Sequence, residues 1–199
     1  MGAPGSSGRS QHDSGGESWL ERARSAGVNP VGASFVALGA VLVLAAFSIF
    51  NWFRDGPGFF AGAGTHSTFA QVHDTLERTR ARAAAQGLSG HVSLGASEPY
   101  FSWLGWVLLL AALAAGAVAV SRVGGRHWWV RWLAAVIAAS GVAFTFLALN
   151  LIVFEGNAPN NANAPTYGEF LAHSGLGAWA AIAGFVCIGI GVLVPRGDI

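Results

Sequence analysis

Four long stretches of the sequence are apolar and carry no charged residue in their middle, and they constrain the fold more than any other feature. They lie at about 30–53, 100–120, 128–154 and 171–194. Roughly 20 apolar helical residues cross the ~30 Å hydrocarbon core of a bilayer. Inside that core the backbone must satisfy its own hydrogen bonds, as a helix does. The sequence therefore predicts an all-α integral membrane protein with four transmembrane helices in two hairpins.

The composition agrees with a membrane protein. Of the 199 residues, 53% are hydrophobic and only 11% are charged, whereas about a quarter of the residues in an average soluble domain are charged. The net charge of +1 decides nothing about nucleic acid, and no nucleic-acid partner is expected for a chain so largely embedded in a bilayer. The one cysteine, Cys187, cannot form an internal disulfide, and we expect it to be a small packing residue.

The segments between and before the spans divide the chain into regions. Residues 1–29 are rich in Gly and Ser with charges of both signs, and such a segment cannot bury enough apolar surface to become ordered. We expect a disordered, juxtamembrane cytoplasmic N-terminus followed by a four-helix membrane domain at 30–199. Within that domain, 54–99 and 155–170 are interpreted as outer loops and 121–131 as a cytoplasmic connector.

The first outer loop contains a helix signal at about 68–86. Thr68 and Gln71 match the capping-box pattern of a helix N-terminus, and Gly87 follows as a typical residue after the C-terminus. Apolar residues recur on one face at helical spacing, namely Phe69, Val72 and Leu76. The pattern predicts an extracytoplasmic amphipathic helix that lies on the membrane surface or over the mouth of the bundle.

The ends of two spans are marked by residue type. Trp52 and Phe53 follow the first apolar run and are interpreted as an aromatic group at the membrane interface that closes the span. Thr166 and Glu169 match a second capping box, which predicts a helix that begins there and continues into the fourth span.

The ends of the first and third spans also resemble each other. Asn51 precedes Asp55-Gly56, and Asn150 precedes Glu155-Gly156, and a capped helix start follows each. Two interpretations remain open: the chain is a duplicated hairpin, or two unrelated hairpins follow the same interface rules.

The arginines predict the orientation. The connector carries three arginines and no acidic residue, and short basic loops remain on the cytoplasmic side. Both termini should then be cytoplasmic in a multi-pass protein of the cell membrane. The chain has arginine but no lysine and is rich in Ala and Gly, which is typical of a GC-rich coding sequence and favours a bacterial inner or plasma membrane.

The connector arginines, Arg122, Arg126 and Arg131, lie beside three tryptophans and are candidates for contact with anionic lipid headgroups. Each basic residue near the surface is attracted to an anionic leaflet by about 1 kcal/mol. The alternative is that the arginines set only the orientation and the tryptophans form an aromatic belt.

The four spans carry no residues that suggest ion transport, proton transfer or catalysis. No ionisable residue lies in the middle of any span, which argues against a pump, a proton-coupled transporter or a voltage sensor. No catalytic constellation, cofactor site or metal site is predicted, and we expect the protein not to be an enzyme. Polar residues of the outer face are the one possible site, and they are Asn51, Asp55, His73, Asp74, Asn150, Glu155, Glu169 and His173. The alternative is that these side chains are solvated or anchor the interface.

Small residues recur at four-residue spacing, as in Ala112 with Gly116 and Ala180 with Gly184. Such spacing allows helix backbones to approach closely in lipid. The spacing leaves open whether these faces pack inside one bundle or against a partner.

These observations favour a non-enzymatic membrane protein that acts as an accessory, scaffold or assembly subunit of a membrane or envelope complex. One alternative is an extracytoplasmic ligand- or lipid-binding module that acts through the outer loops. Another is a small-solute pore. The expected partners are the lipid bilayer and either other membrane proteins or further copies of the chain.

Overall fold

The computed structural model describes residues 30–54, 66–87, 98–121, 127–155 and 174–194. Several predictions lie outside these residues. They are the disorder of 1–29, the capping box of Thr166 and Glu169, and the surroundings of Asp55, Arg122, Arg126 and His173.

The described chain is helical except for one pair of short strands. In order, the elements are α1 (Pro30–Ser48), β1 (Asn51–Arg54), β2 (His66–Thr68), α2 (Phe69–Ala85), a π-helical turn (Tyr100–Leu104) that leads directly into α3 (Gly105–Val120), α4 (Trp128–Glu155) and α5 (Leu176–Leu193). Among the described residues, four helices are long and apolar enough to cross a membrane: α1, α3 with its π-helical turn, α4 and α5. The predicted all-α membrane class with four candidate spans is confirmed at this level.

The four long helices form an antiparallel bundle. The most extensive contact joins α1 to α5; α5 also packs on α4, α4 on α3, and α3 on α1. We call the end where α1 and α4 finish and α3 and α5 begin the capped end, because β1, β2 and α2 lie there. The opposite end is called the connector end.

Close backbone approach explains why α1 and α5 form the largest interface. A Cβ atom added to Gly39 of α1 would lie 2.5 Å from the carbonyl oxygen of Gly184 on α5. Further along, a Cβ atom added to Gly191 would lie 2.7 Å from the carbonyl oxygen of Gly32. No side chain fits in either place, so the two backbones touch. The small-residue face of α5 therefore packs inside the bundle, against the first helix of the same chain.

The predicted end of the first span is wrong. The helix ends at Ser48 rather than at Phe53, and β1 pairs antiparallel with β2, with Asn51 opposite Thr68. Trp52 and Phe53 are 0% and 1% exposed, so they are core residues and not an aromatic group at the membrane interface. The physical reason is that burial in the protein removes the whole apolar surface of each ring from water. A ring at the membrane interface remains partly hydrated.

The predicted start of the fourth span is also wrong. Ser174 forms an isolated β-bridge with Phe53, and the Gly175 amide donates to the carbonyl oxygen of Trp52 at 2.7 Å. Gly175 has extended dihedral angles, and α5 begins only at Leu176. Pairing with β1 therefore prevents a helix that would continue from residue 171 into the span.

The amphipathic helix is confirmed almost to the residue. Its capping box is formed in both directions: the Thr68 amide donates to Gln71 Oε1 at 2.9 Å, and the Gln71 amide donates to Thr68 Oγ1 at 3.4 Å. Gly87 follows the helix with a φ of +71°. Phe69, Val72 and Leu76 are buried. Of the two predicted placements, the helix takes the one over the mouth of the bundle.

The two similar span ends differ in structure. Asn51 lies in a strand, whereas Asn150 lies inside the continuous helix α4, which extends to Glu155. The resemblance of the two segments therefore does not extend to their backbone conformation.

Candidate functional site

Seven aromatic rings of the described residues pack together at the capped end, and we call them the aromatic cluster. Its members come from α1, β1, α2, the π-helical turn and α3, and they are Phe47, Trp52, Phe53, Phe69, Tyr100, Phe101 and Trp106. All but Trp106 are buried. The cluster joins β1 and α2 to the bundle, and β2 is held by its pairing with β1, so the cap is packed on the bundle and not merely tethered to it.

Phe69, the first residue of α2, is the centre of the cluster. Its ring centroid lies 4.4 Å from that of Phe47, 5.1 Å from that of Trp52 and 5.3 Å from that of Phe101. It also contacts Tyr100 and Trp106. Aromatic pairs at such distances contribute about 0.5–1.5 kcal/mol each beyond the burial of area. The capping box thus fixes Phe69 as the first residue of α2. From there its ring contacts rings of α1, β1, the π-helical turn and α3.

The π-helical turn makes room for this ring. The Gly105 amide donates to the carbonyl oxygen of Tyr100, five residues earlier, which is the hydrogen bond of a π-helix. A Cβ atom at Gly105 would lie 2.8 Å from the Phe69 ring and 2.9 Å from the Tyr100 carbonyl oxygen. The ring of Phe69 therefore rests against bare backbone, and a side chain at position 105 would displace it.

Polar groups inside the cap have internal partners. Trp52 Nε1 donates to the carbonyl oxygen of Ala46 at 2.7 Å. His73 is half-buried, and its Nδ1–H donates to the carbonyl oxygen of Phe101 at 3.1 Å. This acceptor fixes the proton on Nδ1. His73, which belongs to the predicted polar site of the outer face, therefore attaches α2 to the π-helical turn.

A buried hydroxyl chain links the cap to α4. The Thr145 hydroxyl donates to the carbonyl oxygen of Gly141 at 2.7 Å, and the Tyr100 hydroxyl lies 2.6 Å from Thr145 Oγ1. A threonine hydroxyl has one proton, and Thr145 uses it on Gly141. The Tyr100 hydroxyl is therefore the donor to Thr145.

This direction predicts unequal effects of two small substitutions. Thr145→Val should lower the free energy of unfolding by about 1 kcal/mol, because it leaves the buried Tyr100 hydroxyl without an acceptor. Tyr100→Phe should cost less, since Thr145 keeps its bond to Gly141. Chemical unfolding in mixed micelles, followed by far-UV circular dichroism, measures both. A double variant no worse than Thr145→Val is expected, because phenylalanine at position 100 removes the hydroxyl that Thr145→Val leaves without an acceptor. Tyr100→Phe more damaging than Thr145→Val would contradict the assigned direction.

The far end of α2 is attached by charge. Arg80 forms an ion pair with Glu77 at 2.8 Å and a second with Glu98, next to the π-helical turn. The hydrogen bond to Glu98 raises the pKa of the Arg80 guanidinium above its usual value. The Arg80 and Glu77 side chains are about half exposed, so their pair contributes little stability in water, whereas the Glu98 side chain is only 18% exposed. The ion pairs of Arg80 orient α2, while the aromatic cluster stabilises its packing on the bundle.

The structure does not gather the predicted polar cluster into one place among the described residues. Asn51 pairs in β1, Asp74 points outward from α2, and Asn150 Nδ2 donates to the carbonyl oxygen of Phe146 on its own helix at 2.8 Å. Glu155 is the last residue of α4, and its side chain, with those of Asp55, Glu169 and His173, lies outside the description. The described parts of the chain contain no group of three His, Cys, Asp or Glu side chains suited to a metal.

At the connector end, Arg131 is the described member of the predicted lipid-contact group. Its Nε donates to the carbonyl oxygen of Val192 and its Nη2 to that of Val194, each at 2.7 Å. The guanidinium thus caps the C-terminal end of α5, as basic side chains commonly do. Headgroup contact by Arg122 and Arg126 lies outside the described residues.

Sequence reasoning missed several residues that attach the cap to the bundle. Tyr100 and Trp106 have residue types typical of an aromatic belt at the outer end of the second span, and no pattern singles out Thr145. One signal was available, since Thr145 is one of two hydroxyl residues in the third span, the other being Ser140. Its partner is 45 residues away, and no local pattern connects the two.

Comparison of the chain with protein-family models, with curated proteins and with solved structures found no match.

Proposed function

We propose that this protein is a non-enzymatic, multi-pass accessory or assembly subunit of a complex in the cell membrane. The observation that carries the proposal is the dense packing of the described part of the capped end, where buried aromatic rings fill the interior. The hydrogen-bonding groups of Trp52, His73, Tyr100 and Thr145 are engaged in holding the cap together. Such a cap is suited to presenting a fixed surface to another protein.

The surface available for a partner is the outward face of α2. Asp74, Arg78 and Arg82 follow one another at four-residue spacing and are exposed, so they form one polar stripe on the helix. The opposite face of the same helix is anchored by Phe69, Val72 and Leu76. The stripe is therefore held at a constant position relative to the bundle, which lowers the entropic cost of binding.

The proposed subunit has its capped end outside and its connector end and both termini in the cytoplasm. The support is the distribution of charge: three arginines and no acidic residue lie in the 121–131 connector, and positive charge near span ends remains inside. Exposed tryptophans lie toward both ends of the spans, as in Trp103 and Trp128, which fits two membrane interfaces.

Cysteine labelling tests this orientation. In a Cys187→Ala background, Arg82→Cys places a thiol at an exposed position of α2, and His127→Cys places one at the exposed position just before α4. In intact spheroplasts, a membrane-impermeant maleimide should label position 82 at least tenfold more than position 127. After permeabilisation both should react equally. The reverse pattern would refute the proposed orientation.

Co-purification tests the role. The full-length protein, extracted from its native membrane in a mild detergent, should elute together with other membrane proteins. The triple variant Asp74→Ala/Arg78→Ala/Arg82→Ala should lose them, whereas Gln86→Ala, an exposed change just beyond α2, should not. A monomer that elutes with no other protein would count against an accessory role, as would a triple variant that retains every partner.

A further inference from the structure

An apolar groove of about 340 Å³ runs along the outside of the bundle between α4 and α5. It extends from Val142 and Phe185 to Leu193, near the connector end. Ala138 and Gly189 form its floor. A Cβ atom added to Gly189 would meet only the Cβ of Ala138, at 3.6 Å. The space above the floor is therefore open and is not closed by a neighbouring side chain.

A fixed positive charge lies at the connector end of this groove. Arg131 precedes the lining residue Ala135 by one helical turn, and its two carbonyl partners, Val192 and Val194, flank the lining residue Leu193. The guanidinium has five N–H donors, and two of them hold it in place. Within the described parts of the chain, the remaining donors have no further hydrogen-bond partner and lie at the mouth of the groove.

The surroundings of Arg131 favour an anionic ligand. The described carboxylate side chains, Asp74, Glu77 and Glu98, belong to the capped end, so no described carboxylate offsets the charge of Arg131. Trp128 and Trp132 are 73% and 57% exposed. Trp132 continues the face of α4 that carries Ala135 and Ala139, which places a ring suited to the headgroup region beside the mouth of the groove.

We propose that this groove binds one acyl chain of an anionic phospholipid, whose phosphate contacts the Arg131 guanidinium. The apolar walls match the chain, and the planar fork of arginine matches phosphate oxygens. A second copy of the protein is the less suitable occupant. A two-fold dimer through this groove in one membrane would have its axis along the membrane normal, and would bring two Arg131 side chains to the same depth on facing surfaces.

Lipid retention by the purified full-length protein tests the proposal. The protein in detergent is mixed with equal amounts of phosphatidylglycerol and phosphatidylcholine that carry the same acyl chains, and bound lipid is counted by native mass spectrometry. Retention of one phosphatidylglycerol is expected, with a preference of about fivefold for one arginine near the surface. Arg131→Gln should remove the preference, and Arg131→Lys should retain it.

Filling the groove should remove both lipids. Gly189→Leu enters it from α5 and the exposed Ala139→Leu enters it from α4, which gives two independent variants. Ala117→Leu adds the same group to exposed α3 and is the matched control. Far-UV circular dichroism and elution volume verify that each variant is folded. Equal retention of the two lipids by the wild type would overturn the proposal. So would unchanged retention in folded groove variants, or a wild-type dimer that the groove variants convert to monomer.

Discussion

Phe69→Ala is expected to lower the free energy of unfolding by about 3–5 kcal/mol, the range for removing a buried aromatic ring. The large effect follows from position. Phe69 is fully buried and its ring contacts those of Phe47, Trp52, Tyr100, Phe101 and Trp106. Removal leaves a cavity bordered by four elements, none of which can collapse into it without moving the others.

Denaturant titration in mixed micelles measures the loss of stability, and near-UV circular dichroism reports on the aromatic cluster. Protease cleavage within α2 should also increase, because α2 loses its main anchor while the four long helices remain. Phe144→Ala is the matched control, since Phe144 is on α4, is 42% exposed and should cost less than about 0.5 kcal/mol. Equal effects of the two substitutions would show that the cluster does not hold the cap.

Gly184→Ala is expected to cost about 3 kcal/mol, at the upper end of the range for overpacking. The added Cβ would lie 2.8 Å from the carbonyl oxygen of Gly39 and 2.9 Å from the amide nitrogen of Val43. Both are backbone atoms, so relief requires that α1 and α5 separate. Because this pair forms the largest interface of the bundle, the separation affects the whole fold.

Gly189→Ala provides a matched control on the same helix. Its Cβ would meet only Ala138, at an ordinary contact distance of 3.6 Å. The substitution should be neutral or stabilising by about 0.4–1 kcal/mol, because alanine restricts the unfolded chain. Opposite signs for two Gly→Ala changes five residues apart are therefore expected in the same unfolding assay. A destabilisation of similar size at both positions would mean that helix propensity or lipid contact, and not backbone approach, dominates.

Local sequence was sufficient for the features that depend on local physics. Hydropathy and length predicted the four candidate spans, because a bilayer requires apolar helices of a set length. Thr68, Gln71 and Gly87 predicted the limits of α2, because the groups that cap a helix lie within a few residues of its ends.

Tertiary structure decided what depended on distant partners. Trp52 and Phe53 have the residue types of a membrane interface, and only the approach of Phe69, Phe101 and Ser174 makes them core. The same approach turns residues 51–54 into a strand, while the similar segment after Asn150 remains helical.

By itself, the sequence determined how many helices suit a bilayer and where the amphipathic helix begins and ends, since both follow from the free energies of neighbouring residues. Only the tertiary structure decided which glycines bring two backbones into contact, which hydroxyls pair across the bundle, and how the capped end is closed. Those outcomes depend on distances between atoms that are far apart in the sequence, such as those of Gly39 and Gly184. Residue type and sequence spacing do not determine these distances.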